Sequence, residues 1–301
     1  MEDRDKQKQK RRDFFKGFFL TLVFIFPVYA GALLFSSLGG LLLPETEQTA
    51  QPQENVPVAE SVKSYNLLFG VYDSNQEDKL LALTLLRFDT ATYRTVICDL
   101  PVDTVVLDAK TPRGLGTVFA SRGMLGIVDA VQETLNVAVS GYAAVGTQEL
   151  AQLIDELGQI EYNLGQDIVV YDESGIVTYS KHAGSSLFNG NDVAKLLVFS
   201  PQTGQARTRM LESLWDAAMT AYADASFDQK ILRGYQVVVN SMSSNISSAG
   251  IYTLARSVKA VCADGRAQYE LYRLDGTWLD GRFELAQDAD ERFWDYFPPI
   301  S

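Results

Sequence analysis

Three consecutive apolar segments between residues 65 and 106 constrain the fold of this 301-residue chain more than any other feature. They are residues 65–73 (YNLLFGVYD), 80–88 (LLALTLLRF) and 93–106 (YRTVICDLPVDTVV). Each segment has strand length, is alternating or continuously apolar, and is bounded by turn residues, which predicts three neighbouring strands of one sheet. The loops that leave the first and third strands carry acids, and we expect the chemistry at that edge of the sheet: Asp73, Asp78 and Asp103.

Helical and extended patterns alternate through the rest of the chain. Helical patterns occupy residues 126–135, 147–157, 189–199, 208–222, 227–239, 247–259 and 290–296. Extended patterns occupy residues 136–145, 160–171 and 267–274. Residues 104–113 resemble a strand end and a loop, and residues 114–126 are punctuated by glycine. This alternation predicts an α/β domain with helices packed on a mostly buried sheet.

The charge of the chain is divided unevenly. Residues 1–16 hold seven bases and four acids, whereas the remainder holds 34 acids and 19 bases. Residues 17–43 are uncharged and mostly apolar, which is long enough to cross a bilayer as a tilted helix. The basic flank predicts a single-pass membrane protein with a cytoplasmic tail and an extracellular domain. The alternative for this segment is a cleaved signal peptide.

An acidic domain lacks the clustered bases that a nucleic-acid surface needs, so nucleic acid is not an expected partner. Residues 44–63 are rich in Pro, Gln and Glu, which is typical of an extended tether. The domain then runs from residue 64 to 301. Its two cysteines, Cys98 and Cys262, could form a disulfide, although Cys98 also fits a small buried apolar residue of a strand.

No metal-binding cysteine cluster, nucleotide-binding glycine loop or nucleophile elbow occurs in the chain. The only histidine, His182, lies in a polar loop, which argues against a Ser-His-Asp hydrolase.

Several motifs, in order, resemble the LytR-CpsA-Psr family of membrane-anchored cell-envelope enzymes. Residues 66–73 and 78–86 resemble the opening strands of that family, and residues 98–106 (CDLPVDTVV) resemble its Ser-Ile-Pro-Arg-Asp-Thr-x-Val motif. The similarity continues through residues 114–123, 187–190 (LFNG), 207–211 and 240–254. It spans about residues 65–259, with residues 260–301 as a C-terminal extension.

The resemblance implies a three-layer α-β-α domain with a central mixed sheet. Family members transfer a glycopolymer from a polyprenyl-pyrophosphate carrier to peptidoglycan, with arginines and Mg²⁺ holding the pyrophosphate. Carried over to this chain, the expected metal ligands are Asp73, Asp78 and Asp103. The expected catalytic residues are Asp103 and Arg209, and the expected substrate-binding residues are Arg113, Arg122 and Arg207.

The chain departs from the family at several arginine positions, which hold Val102, Phe199, Pro201 and Ala206, and Met210 replaces a glutamine. None of these side chains can replace a charge-assisted arginine–phosphate contact. Two hypotheses therefore remain open: a transferase with a rearranged arginine set, and a catalytically degenerate domain that binds a polyprenyl lipid or acts as a scaffold. The positive charge beside Asp78 and Asp103 distinguishes the two hypotheses. The transferase needs at least three arginines there, from the set Arg113, Arg122, Arg207 and Arg209.

Overall fold

The computed structural model describes residues 64–89, 92, 94–200, 204–222, 242–246, 268–287 and 289–299. The basic tail, the predicted membrane span, the tether, Cys262 and the two helical patterns at residues 227–239 and 247–259 lie outside the described residues. In the part of the chain that is described, no helix combines the length and apolar character needed to cross a membrane.

The described residues contain fourteen strands and five helices. The strands are β1 Ser64–Asp73, β2 Gln76–Asp89, β3 Arg94–Asp99, β4 Val105–Asp108, β5 Thr111–Gly114, β6 Gly141–Gly146, β7 Ile160–Leu164, β8 Ile168–Tyr171, β9 Val177–Lys181, β10 Gly184–Phe188, β11 Ser243–Ser244, β12 Gln268–Arg273, β13 Gly276–Leu279 and β14 Arg282–Leu285. The helices are α1 Leu115–Leu135, α2 Thr147–Leu157, α3 Gly190–Phe199, α4 Gly204–Tyr222 and α5 Ala289–Tyr296.

The three predicted strands form the centre of a six-stranded mixed sheet with the order β11-β6-β1-β2-β3-β12. Strand β2 is antiparallel to both β1 and β3, while β6 is parallel to β1 and β12 is parallel to β3. The carboxyl ends of β1, β3, β6 and β12 consequently meet at one edge of the sheet. This arrangement confirms the predicted strand triplet and its common edge.

Side-chain alternation along β3 sends two sets of residues to opposite faces of the sheet. Val96 and Cys98 belong to the core cluster that includes the apolar side of α1, whereas Ile97 belongs to a cluster against Trp215 of α4. Asp99 has the parity of Ile97 and therefore lies on the α4 side. Cys98 is a free, buried thiol, as the strand pattern predicts.

Helices cover both faces of the sheet. One core cluster combines α1 with residues from β1, β2, β3 and α5 and with Phe297, which directly follows α5. Phe293 and Phe297 are fully buried. A second cluster combines α2, α3 and the start of α4 with Val71, Leu81 and Val145 of the opposite face. The mixed α/β class is confirmed, and residues 268–299 contribute both a sheet strand and core side chains.

Helix α1 begins at Leu115, well before the predicted start at residue 126. Gly123 interrupts it with a φ of 62°, a left-handed conformation that glycine adopts without strain. Leu115, Val118 and Phe119 are buried, so the N-terminal half of the helix is stabilised by the core despite its glycines. Helix α4 likewise begins at Gly204 rather than at residue 208, which places Arg207 in its first turn.

The LFNG motif forms the junction between β10 and α3. Asn189 is the N-cap of α3: its side chain accepts a hydrogen bond from the amide of Asp192, whose carboxylate in turn accepts one from the amide of Asn189. Gly190 sits against α2, because a Cβ atom at this position would lie 1.9 Å from the carbonyl oxygen of Ala151. The motif therefore starts a helix and permits two helices to approach closely.

Candidate functional site

A small cleft opens at the carboxyl end of β3, between the sheet and the first turns of α4. Its enclosed volume is only about 10 Å³, which is room for about one water molecule. Most of its wall is apolar, but three ionisable side chains line it. The lining residues are Leu81, Asp99, Pro101, Val102, Asp103, Gly204, Arg207, Thr208, Leu211 and Trp278.

Asp99 is the most unusual of these residues. It is 6% exposed, and neither carboxylate oxygen has a hydrogen-bond partner among the described residues. Burial raises the pKa of Asp99 to about 8, and the positive charge of Arg207 only partly opposes this shift. A buried carboxyl group without hydrogen-bond partners destabilises the folded state, and acids with strongly shifted pKa values are common at functional sites.

Arg207 is 4% exposed and is held by the backbone rather than by an acid. Its Nη1 donates to the carbonyl oxygen of Leu197 and its Nη2 to that of Leu81, each at 2.8 Å. Its Nε has no hydrogen-bond partner within the described chain. Burial lowers the pKa of Arg207 to about 10, with Asp99 opposing the shift. The guanidinium thus provides positive charge next to Asp99 while two of its nitrogens are already used.

Asp103 lies in the turn after β3, where its main-chain oxygen accepts a hydrogen bond from the amide of Phe283 at 3.1 Å. The turn is closed by Thr104, whose hydroxyl donates to the carbonyl oxygen of Pro101 at 2.6 Å. The Oδ2 atom of Asp103 is buried and unpartnered among the residues described. Burial also raises the pKa of this carboxyl. The Oδ2 atom of Asp103 is therefore not used in capping the turn.

The other two predicted metal ligands lie at the β1–β2 hairpin on the same edge of the sheet. Asp73 is buried, and its Oδ1 accepts a hydrogen bond from the amide of Asn75 at 2.9 Å, whereas Asp78 is exposed. Across the described ranges, no group of three His, Cys, Asp or Glu side chains could hold a metal ion. Mg²⁺ commonly uses only one or two carboxylates with waters and phosphates, and the unpartnered oxygens of Asp99 and Asp103 fit that requirement.

The four predicted arginines do not gather at the cleft. Arg113 and Arg122 both form salt bridges with the buried Asp108, and Arg122 also pairs with Asp129 at 2.6 Å. Hydrogen bonds from Asp108 and Asp129 raise the pKa of Arg122. Arg209 is exposed on α4 and does not line the cleft. Only Arg207 does, so the charge criterion for a transferase is not met.

Asp99 is the site residue that the sequence reasoning missed. The sequence did contain an indication of this residue. Asp99 is an acid at an inward-facing position of a strand, at the position where the Ser-Ile-Pro-Arg-Asp-Thr-x-Val motif has its serine. Val102 lines the same cleft at the position where that motif has arginine. Together these two differences replace a hydroxyl group with a carboxyl group and a positive side chain with an apolar one.

The aromatic residues of this region pack with the core. Phe119 is 8% exposed, and it stacks on Tyr72 with ring centroids 6.3 Å apart. Phe69 and Trp215 make an edge-to-face contact with ring centroids 6.3 Å apart, and Phe88 packs against the same buried cluster as these two rings. The Trp215 indole donates to Thr84 at 3.1 Å. His182 is exposed and lies 3.2 Å from Asp167, which fits the predicted surface role.

Comparison with known proteins agrees with this fold. The protein is similar to the crystal structure of TagV from B. subtilis, with 15% identity, a TM-score of 0.66, and coverage of 79% of this chain and 99% of that one. It is also similar to a LytR-Csp2A-Psr enzyme from Actinomyces oris, with 17% identity, a TM-score of 0.62, and coverage of 79% and 92%.

A third similar structure is that of TagT bound to LI-WTA, with 13% identity, a TM-score of 0.59, and coverage of 83% of this chain and 92% of that one. No curated protein sequence matches the chain. The sequence profile of the LytR_cpsA_psr family matches residues 44–294, which is most of the chain. The protein therefore belongs to the LytR-CpsA-Psr family.

Proposed function

We propose that this protein binds a polyprenyl-pyrophosphate-linked glycopolymer of the cell envelope and does not transfer it. Family membership supports the envelope role, and the structure of the relative TagT with LI-WTA supports a lipid-linked glycopolymer as the ligand class. The observation that carries the loss of transfer is the charge of the cleft. One guanidinium and two carboxyl groups line it, and two further arginines are paired with Asp108.

Phosphoryl transfer needs concentrated positive charge at the phosphate oxygens, because negative charge must be stabilised as the pyrophosphate leaves. Arg207 is buried, and two of its five N–H groups already donate to carbonyl oxygens, so fewer of its donors remain for a phosphate. The apolar Val102 contributes none. A site of this composition can orient a phosphate through a cation but lacks the donors that would stabilise a transition state.

Magnesium is part of this proposal. Asp99 and Asp103 would hold the ion, which when bound would supply the positive charge that the cleft needs to accept a phosphate. Arg207 would balance the remaining charge of the two acids, and Leu81, Leu211 and Trp278 would exclude water from one side. The proposal also includes the membrane anchor at residues 17–43, an extracellular domain, and peptidoglycan as the neighbouring polymer.

The test uses the full-length protein in detergent with a radiolabelled polyprenyl-pyrophosphate-linked saccharide, Mg²⁺ and purified peptidoglycan. Binding and release of the lipid pyrophosphate are followed in the same samples. Binding without release is the expected result. Release above the rate of a protein-free control would instead establish the transferase hypothesis, and absence of binding would overturn both.

A gain-of-charge variant sharpens this test. Val102→Arg restores an arginine to the cleft wall, so the affinity for the lipid pyrophosphate is expected to rise. Leu187→Arg is the matched control, because Leu187 is 60% exposed and lies outside the cleft. An equal rise in both variants would attribute the effect to general charge attraction and contradict a phosphate site at this cleft.

A further inference from the structure

We propose that Trp278 is a movable cover of the cleft and that a ligand enters only after its indole ring turns away. The indole belongs to the hairpin β13–β14, which comes from the C-terminal part of the chain, and it forms part of the cleft wall. The inference rests on the proposed function for the identity of the ligand, but the closure itself can be measured without any ligand.

The size of the cleft is the first observation that requires a movement. Its enclosed volume of about 10 Å³ holds about one water molecule, whereas pockets for small organic ligands measure about 300–1,000 Å³. A pyrophosphate group is much larger than one water molecule. At least one wall of the cleft must therefore move before such a ligand reaches Asp99 and Asp103.

Two walls of the cleft are held in place by hydrogen bonds. On the α4 side, the buried Arg207 donates to the carbonyl oxygens of Leu197 and Leu81, each at 2.8 Å. On the β3 side, the hydroxyl of Thr104 donates to the carbonyl oxygen of Pro101 at 2.6 Å and closes the turn. Moving either wall would leave buried polar groups without partners, which destabilises the folded state. These two walls are therefore expected to stay fixed.

The indole of Trp278 lacks such a restraint. The other two indoles of the chain are held through their N–H groups, since Trp215 donates to Thr84 and Trp294 to the carbonyl oxygen of Leu135, each at 3.1 Å. Within the described part of the chain, the N–H group of Trp278 makes no hydrogen bond. The ring is only partly buried, so packing contacts alone hold it over the cleft.

The hairpin that carries Trp278 is itself firmly attached. Phe283 lies opposite Trp278 in the strand pair, with ring centroids 5.3 Å apart, and it is 6% exposed in the main core cluster. The amide of Phe283 also donates to the carbonyl oxygen of Asp103 at 3.1 Å. Asp280 and Gly281 have positive φ angles of 48° and 77°, as in a tight two-residue hairpin turn. The moving part is therefore the indole side chain and not the hairpin.

A closed cleft lowers the apparent affinity for any ligand that binds only the open state. The apparent Kd is the intrinsic Kd divided by the fraction of molecules that are open. Minor conformations of proteins are commonly populated at about 0.1–10%, so removal of the cover should increase access to the cleft by about tenfold or more. The affinity for a ligand should rise in the same direction.

The test measures access to the cleft with a thiol. In the full-length protein in detergent, Val102→Cys places a thiol in the cleft wall, and Cys262→Ser leaves the buried Cys98 as the only native thiol. Alkylation by iodoacetamide is followed at both thiols by peptide mass spectrometry. Trp278→Ala should raise the alkylation rate at position 102 by about tenfold or more. The matched control Leu279→Ala should leave it unchanged, because Leu279 is exposed on the same hairpin and does not line the cleft.

A second variant and a second thiol keep the result interpretable. Trp278→Phe retains a smaller ring and should give an intermediate rate, while Cys98 should stay unreactive in every variant because it is fully buried. The proposal is overturned if both Trp278 variants leave the rate at position 102 unchanged. It is also overturned if Cys98 becomes reactive together with position 102 in both, since the domain would then have loosened as a whole.

Binding of the lipid pyrophosphate is measured in the same proteins. Tighter binding by Trp278→Ala than by Leu279→Ala would support the cover together with the proposed function. A rise in thiol access without lipid binding in any variant would support the cover and overturn the proposed function. Lipid binding with unchanged thiol access would overturn the cover alone.

Discussion

Replacing Gly190 with alanine tests the close approach of α2 and α3, which fixes the LFNG motif against the sheet. The added Cβ atom would lie 1.9 Å from the carbonyl oxygen of Ala151, 2.5 Å from its carbonyl carbon and 2.6 Å from its Cα. All three atoms belong to the backbone of α2. A rotamer change cannot relieve such a contact, so the two helices must separate.

The size of the effect follows from what that separation disrupts. An ordinary van der Waals contact would need the helices to move by more than about 1 Å, and interiors this densely packed transmit such shifts. The interface includes the buried Ile154, Val193 and Leu197. The Gly190 amide also donates to Asp155 of α2 at 2.8 Å. Overpacking usually lowers the free energy of unfolding by about 1–3 kcal/mol. Because the contacted atoms belong to the backbone and cannot move aside, we expect a loss of about 3 kcal/mol or more for Gly190→Ala.

The assay is urea denaturation followed by circular dichroism, with thermal unfolding as a second measure. For a domain of this size, about 3 kcal/mol corresponds to a fall in Tm of roughly 6–12 °C. Gly165→Ala is the matched control, because nothing lies within 4 Å of a Cβ atom at that exposed position. It should change stability by less than about 1 kcal/mol. A Gly190→Ala protein as stable as this control would refute the close helix approach.

Three further changes test the surrounding features. Asn189→Ala removes the capping interaction of α3 and should cost about 1 kcal/mol in urea denaturation, whereas a cost near zero would deny the cap a role. Phe293→Ala empties a fully buried site stacked on Phe297 and should cost about 3–5 kcal/mol by the same assay; a smaller loss would show that α5 is not part of the core. Asp99 has a folded-state pKa of about 8, above its ordinary 3.8, so the folded protein binds this proton more tightly than the unfolded chain does. In chelator, the free energy of unfolding of the wild-type protein should therefore fall as pH rises from 3.8 to about 8, by up to about 1.4 kcal/mol per pH unit. Asp99→Asn should reduce this dependence, measured by unfolding at pH 5 and pH 7, and leave the contribution of Asp103. Parallel pH profiles of the wild type and the variant would contradict the buried, unpaired carboxyl group of Asp99.

Local sequence patterns predicted the centre of the fold well. The runs at residues 65–73 and 80–88 are strands because their alternation matches a sheet buried on both faces. The third predicted strand, residues 93–106, is shorter than expected: β3 ends at Asp99, and a turn separates it from β4, which belongs to a different sheet. Helix α2 matches its predicted bounds, from Thr147 to Leu157, because its apolar stripe and the following Gly158 are local signals. The early start of α1 was not predictable in the same way, since burial of Leu115 and Phe119 outweighs its glycines.

The charges of the site were harder to predict than its strands. Motif positions place Arg113 and Arg122 near the acidic edge, but a motif does not say which carboxylate each side chain meets. Both bind Asp108, which is a residue of the β4–β5 hairpin that the sequence pattern treats as a loop. Asp99 was overlooked for the converse reason, because an acid inside a strand pattern is ordinarily a solvated residue on an exposed face.

The sheet topology also sets the order in which the protein can complete its folding. Both outer strands, β11 and β12, come from the C-terminal part of the chain, whereas the four inner strands are formed by residues 64–146. Until residue 273 has emerged from the ribosome, β3 lacks the neighbour that covers its outer edge, and open strand edges are prone to pairing with other chains. The long separation between β3 and β12 further slows their pairing. Nascent chains that stall before β12 should therefore need a chaperone at the exposed edge of β3.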